Sequence, residues 1–151
     1  MDEFKSEKEM QEFFLKRIKI FAKDYKLPKI KSVGSEVWIK SFKNIKTNKK
    51  QFSIPDTRRI DVIIYHEDKS LSLFELKNNT KKGLHLDTGI IQLLKYKSII
   101  EDLSDVNTVR LFLVSSKVDY QSAITVQKYN LPIKFILLKK NGYSTYGVTV
   151  Q

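Results

Sequence analysis

The sequence predicts an α/β fold, a central mixed β-sheet flanked by α-helices. Three observations predict it. Short runs rich in β-branched residues alternate with segments of helical periodicity, two of those runs are close enough to form a hairpin, and a strand–helix–strand–helix–strand tail follows. A hairpin is antiparallel, whereas strands joined through helices run parallel, so one sheet must hold both pairings.

Each element has its own signal. Ser6 followed by Glu9 reads as a capping box, and Met10, Phe13, Phe14, Ile18 and Phe21 recur at helical spacing, which predicts a helix from Ser6 to Asp24. Pro28 closes that region. Val37, Ile39 and Phe42 suggest a strand, followed by a polar stretch from Lys43 to Gln51. Ile60 to Tyr65 is short and β-branched, hence a buried strand; His66 to Ser70 is a turn; and Leu71 to Lys77 is a second strand, so the two read as a hairpin. Asn78 to Leu86 is a loop, after which Asp87 or Thr88 caps a helix running through Ile90, Leu94 and Ile100 to Leu103. Val109 to Val114 is a buried strand, Ser116 to Tyr129 a helix, and Ile133 to Leu138 a strand. Tyr143 to Val150 is an edge strand behind the Asn141-Gly142 turn. No repeat or linker interrupts the order, so residues 1–151 read as one domain.

Composition narrows the function classes. The 151 residues can bury a core without disulfides or a structural metal. With no Cys, thiolate zinc sites, iron–sulfur clusters and a cysteine nucleophile are excluded. No apolar run approaches the roughly 18 residues of a membrane span, and the charged start MDEFKSEKEM lacks a signal peptide's apolar stretch; the expectation is a cytoplasmic protein without a membrane partner. The net charge of +11 favours a polyanion, nucleic acid first. Only Arg17, Arg58, Arg59 and Arg110 are Arg among 28 basic residues, a balance that suits phosphate contact more than base reading. The charge is uneven. No acid occurs from Val37 to Pro55, which holds Lys40, Lys43, Lys46, Lys49 and Lys50, nor from Tyr120 onward, which holds Lys128, Lys134, Lys139 and Lys140.

The hairpin carries the chemistry. Leu71, Leu73, Glu75 and Lys77 share one face of their strand, and Asp61, Ile63 and Tyr65 share one face of its partner. Antiparallel pairing across a five-residue turn sets the beginning of one strand beside the end of the other, so Asp61 meets Glu75 and Lys77. Two carboxylates at the rim of a sheet suit a hard divalent cation that prefers oxygen ligands, and a neighbouring Lys can orient an attacking water.

Arg59-Ile60-Asp61-Val62-Ile63 followed by Leu73-Phe74-Glu75-Leu76-Lys77 resembles the PD-(D/E)xK nuclease superfamily, whose core carries an Asp on one strand and Glu-x-Lys on the next. Gln92-Leu93-Leu94-Lys95-Tyr96 is similar to the Q-x-x-x-Y helix of its RecB-like branch, and Arg59 to Lys77 resembles the nuclease domain of the archaeal mismatch-specific endonucleases. The chain departs from the Holliday-junction resolvases in lacking a glycine- and serine-rich lead into the Asp. The resemblance implies a restriction-endonuclease-like core and a Mg²⁺-dependent nuclease, DNA favoured over RNA, with Mn²⁺ expected to substitute. Asp61, Glu75 and the Leu76 carbonyl would hold metal, Lys77 would assist the water, and Gln92 and Tyr96 would line the site. Glu7, on the apolar face of the first helix, is the choice for a third carboxylate, whereas Glu12 points away.

Other candidates are weaker. Pro55-Asp56 spells the family's "PD", but Asp56 stands outside the apolar strand, so Asp61 is preferred. Arg58, Arg59, Lys81 and Lys82 are candidate phosphate contacts. His66 and His85 lack zinc spacing and read as solvated. A homodimer would supply two sites for a duplex. The competing readings are a non-catalytic nucleic-acid-binding module on the same fold and a small basic RNA-binding protein.

Overall fold

The computed structural model describes residues 4–42, 59–78, 85–103, 105–106 and 108–146. Two helices open the chain, α1 (Glu7–Lys16) and α2 (Ile18–Asp24), followed by strand β1 (Ile30–Trp38) and a short 3₁₀ turn at Ile39–Phe42. The hairpin β2 (Arg59–His66) and β3 (Leu71–Lys77) leads to α3 (His85–Leu103), β4 (Val109–Ser115), α4 (Tyr120–Lys128), β5 (Ile133–Lys139) and β6 (Gly142–Tyr146). The strands form one six-stranded sheet in the order β1-β2-β3-β4-β5-β6. Pairing is antiparallel except between β3 and β4 and between β4 and β5, the two steps that a helix bridges. This is the expected mixed α/β sheet.

Alternation divides the strands between two cores. Leu71 and Leu73 of β3, Leu111 and Leu113 of β4, and Ile133 and Phe135 of β5 pack beneath α3 and α4 with Leu93, Tyr96, Ala123 and Val126. Phe74, Leu76, Phe112, Val114, Ile136 and Leu138 face the other way, against Met10, Phe14, Ile18 and Phe21 of the first two helices. That second core is aromatic. Phe74 and Phe112 stack at 4.8 Å, and the Phe21 ring meets both edge-on.

Several sequence expectations change. The first helix is two, broken at Arg17, whose amide reaches only to Phe14; its guanidinium lies over the Phe13 ring at 3.6 Å. The Ser6 cap is as expected, with Ser6 Oγ accepting from the Glu9 amide at 3.1 Å. β1 begins at Ile30, and Ile39 to Phe42 is 3₁₀ turn instead of strand, because an edge strand with a solvated face needs few apolar residues to mark it. α3 starts at His85, so Asp87 and Thr88 lie inside its first turn and do not precede it. α4 starts at Tyr120, capped by Asp119, whose carboxylate accepts from the Ser122 amide. His66 is buried, not solvated: its Nδ1 sits 2.8 Å from the Pro28 carbonyl and its Nε2 2.7 Å from Ser72 Oγ. No helix among the described residues is long and apolar enough to cross a membrane.

Candidate active site

The hairpin register pairs Tyr65 with Leu71 and Val62 with Phe74. One further step sets Asp61 opposite Glu75, but the ladder ends at Val62 and the strands part. Asp61 takes over the bonding there, its Oδ2 accepting the Leu76 amide at 2.8 Å. β2 also changes sense at this point. Ile60 packs beneath α3 while Val62 faces α1, although residues two apart in a strand should share a face. On β1 the position across from Asp61 is Glu36, which holds a left-handed backbone with φ of 52° and drops out of the ladder. A non-glycine residue in that conformation costs about 1 kcal/mol or more and marks a place where the chain is held for a reason.

Glu75 follows Leu71 and Leu73 on the α3 side and is only 3 % exposed. Burial strips its hydration, the Asp61 charge opposes a second negative charge, and a side-chain hydrogen bond to Asp61 requires the proton; together they push Glu75 up to about 9, with Lys77 offsetting part and Glu7 adding a little. Glu75 Oε1 is buried without a hydrogen-bond partner among the described residues. A carboxyl oxygen left so is costly unless something else comes to it.

α3 comes close because Gly89 lets it. A Cβ there would lie 2.8 Å from Leu113 Cδ1, 3.4 Å from Lys77 Cε and 3.8 Å from Glu75 Cγ. Gln92, one turn on along the same stripe, has its Oε1 buried and unpaired among the described residues. Tyr96 is sunk in the core with its hydroxyl donating to the Arg59 carbonyl at 3.3 Å, so it steadies β2 two residues before Asp61. From the other face, Asn78 donates to the Phe4 carbonyl at 2.9 Å and ties the lead-in of α1 to the end of β3.

The first turns of α1 border a cleft of about 460 Å³ lined by Glu7, Glu12, Glu36, Asp61 and Leu76, with Lys8 as its cation among the described residues. The structure thus brings together Asp61, Glu75, Lys77, Leu76 and Glu7 of the residues chosen from sequence. Glu12, expected to point away, borders the same cleft, because the first turns of α1 open toward it. Asp56, Arg58, Lys81 and Lys82 lie outside the described residues, as does the side chain of His85. Sequence reasoning missed Glu36 and Gly89. A signal existed for the first, since Glu36 is the lone acid between Asp24 and Asp56.

Among the described residues no three His, Cys, Asp or Glu side chains cluster tightly enough to hold a metal by themselves. The donors at hand are the two carboxylates Asp61 and Glu75 and the Leu76 carbonyl, all hard oxygens, with an unsatisfied oxygen on Glu75. That set fits a cation that keeps several waters.

The sequence matches no protein-family profile and no curated protein sequence. Among solved structures the chain is similar to a repair endonuclease from Pyrococcus abyssi, with a TM-score of 0.56 and 18 % identity over 93 % of this chain. The match spans 50 % of that protein's length. The likeness establishes a shared fold.

Proposed function

We propose that this protein is a divalent-metal-dependent nuclease that hydrolyses phosphodiester bonds, with DNA favoured over RNA. One observation carries the reading. A chain of net charge +11 gathers Glu7, Glu12, Glu36 and Asp61 into one cleft and, where its hairpin opens, buries Glu75 beside Asp61 with an oxygen unpaired among the described residues. Acids so placed repel phosphate, and they make sense when a cation stands between them and it. The shared fold with a repair endonuclease supports the same reading.

Asp61, Glu75 and the Leu76 carbonyl would hold Mg²⁺, which supplies polarisation of the scissile phosphate and acidification of a bound water. Lys77 stands at the rim of the same strand, where its ammonium can orient the attacking water and offset charge building on phosphate. Asp61 is fixed by the Leu76 amide. Glu75 must lose its proton as the cation binds. Glu7, on the cleft wall, would accept a hydrogen bond from a water there.

A nicking assay on supercoiled plasmid tests this. Cleavage should require Mg²⁺ or Mn²⁺ and stop in EDTA, and Lys77→Ala should lower the rate by about 100-fold or more while sparing binding. Undiminished cutting by Lys77→Ala would sink the assignment. Tight binding that ignores EDTA, with no cutting by the parent protein, would replace it with a non-catalytic module.

A further inference from the structure

We propose that Trp38 and Arg59 form a stacking platform for an unpaired nucleobase of the strand entering the cleft. The inference rests on the nuclease reading and adds to it a contact that favours nucleotides free of a partner strand.

Trp38 is the chain's single Trp and the last residue of β1, where it pairs with Arg59 at the start of β2, two residues before Asp61. The neighbouring pair, Val37 and Ile60, packs into the core beneath α3. Alternation therefore turns Trp38 and Arg59 to the opposite face, the side on which the cleft opens. The ion pair agrees, with Arg59 Nε 3.9 Å from the carboxylate of Glu36 in the cleft wall.

The pair is held in place. The Arg59 guanidinium lies over the indole at 4.8 Å from the ring centre. Ser41 Oγ donates to the Trp38 carbonyl at 2.8 Å, and the Tyr96 hydroxyl donates to the Arg59 carbonyl. Even so, Trp38 remains 39 % exposed, and Arg59 links it to Glu36 of the cleft wall.

Chemistry selects the ligand. A rim beside Glu7, Glu12, Glu36 and Asp61 is a poor place for bare phosphate. A flat aromatic face attracts without charge, and an arginine plane stacks in the same way, so what fits is a base. In a duplex both faces of a base are already covered by neighbours, whereas an unpaired base offers one. Every base has such a face, so the platform distinguishes unpaired from paired nucleotides and does not read sequence.

The lone indole is its own reporter. The Lys77→Ala protein in Mg²⁺, which holds substrate uncut, is titrated with a labelled single-stranded oligonucleotide and with a blunt duplex of the same sequence, following indole emission and label anisotropy together. The single strand should quench the indole saturably, with an affinity about tenfold above that of the duplex. Adding Trp38→Ala should weaken the single strand about tenfold and leave the duplex within twofold, the size expected for one lost base–aromatic stack. Trp38→Phe should recover most of the loss, which separates a missing ring from a disturbed fold. Anisotropy that saturates while indole emission stays unchanged, or a Trp38→Ala protein that binds single strand as tightly as its parent, overturns the platform and leaves the nuclease reading standing. No binding of either oligonucleotide overturns both.

Discussion

Glu75 is held by its surroundings in a state the proposed chemistry does not use. With its pKa raised to about 9 by burial and by Asp61, it is protonated in the bare protein at neutral pH. The unfolded chain titrates it near its ordinary value of 4.5, so between these limits the folded state binds the extra proton. Stability from this group is therefore full below about pH 4.5 and is lost as pH rises toward 9, with a slope of up to about 1.4 kcal/mol per pH unit. Glu75→Gln should flatten that slope and raise Tm at pH 8, although it abolishes cleavage. Mg²⁺ should reverse the trend, because the ionised carboxylate is what binds it, so metal affinity rises with pH. His66 acts in the opposite sense. Burial lowers its pKa and favours the neutral ring, so the fold loses stability as pH falls through about 6.5 and below. The two effects oppose each other between about pH 4.5 and 6.5, and above that the Glu75 loss acts alone, so Tm in EDTA should fall from about pH 6.5 toward 9. A Tm that climbs steadily from pH 6 to 9 without metal would contradict the environment assigned to Glu75.

At the scale of elements, the approach of α3 to β3 is the contact that Gly89 governs. Alanine there gains about 1 kcal/mol of helix propensity. Its Cβ must displace the Leu113 methyl found at 2.8 Å and press on Lys77 Cε at 3.4 Å. Gly89→Ala should therefore leave Tm within a few degrees of the parent and lower kcat about tenfold, since a shift of an ångström at positioned groups suffices for that. Gly89→Val, with branched bulk and poorer helix propensity, should lower both Tm and kcat. Equal kcat in Gly89→Ala would mean that Lys77 does not depend on this contact. The hairpin was legible in the sequence because β-branched alternation and a polar turn fix its register, and that register points Asp61 at the end of β3 that carries Glu75. Gly89 was not, since a glycine in a helical pattern looks the same whether it is tolerated or required. The left-handed Glu36 and the buried His66 were hidden for a related reason. Each depends on a strand partner or on a carbonyl 38 residues away, and no local pattern records that.

For the whole molecule the central fact is that charge and site have opposite signs. The net charge is +11, yet the cleft walls are acidic. Lys128 and Lys134 stand exposed, away from the cleft lining. The two features act on different parts of a binding isotherm. Basic side chains release counterions from phosphate, and each contact steepens the dependence of log K on log salt by about 0.9 on duplex DNA. About six such contacts give a slope near −5. On the proposed reading, acids in the cleft would oppose the same phosphates at short range, and a cation held among them would remove that penalty with little change in the number of outer contacts. Binding of a duplex by the Lys77→Ala protein, measured from about 50 to 200 mM salt at fixed Mg²⁺ and again in EDTA, should therefore give two nearly parallel lines, the Mg²⁺ line lying higher. Salt reports on the lysine-rich surface, and metal reports on the cleft. A slope shallower than about −2 would mean that the excess charge does not engage the backbone, and lines that coincide would mean that the acids in the cleft do not face the substrate.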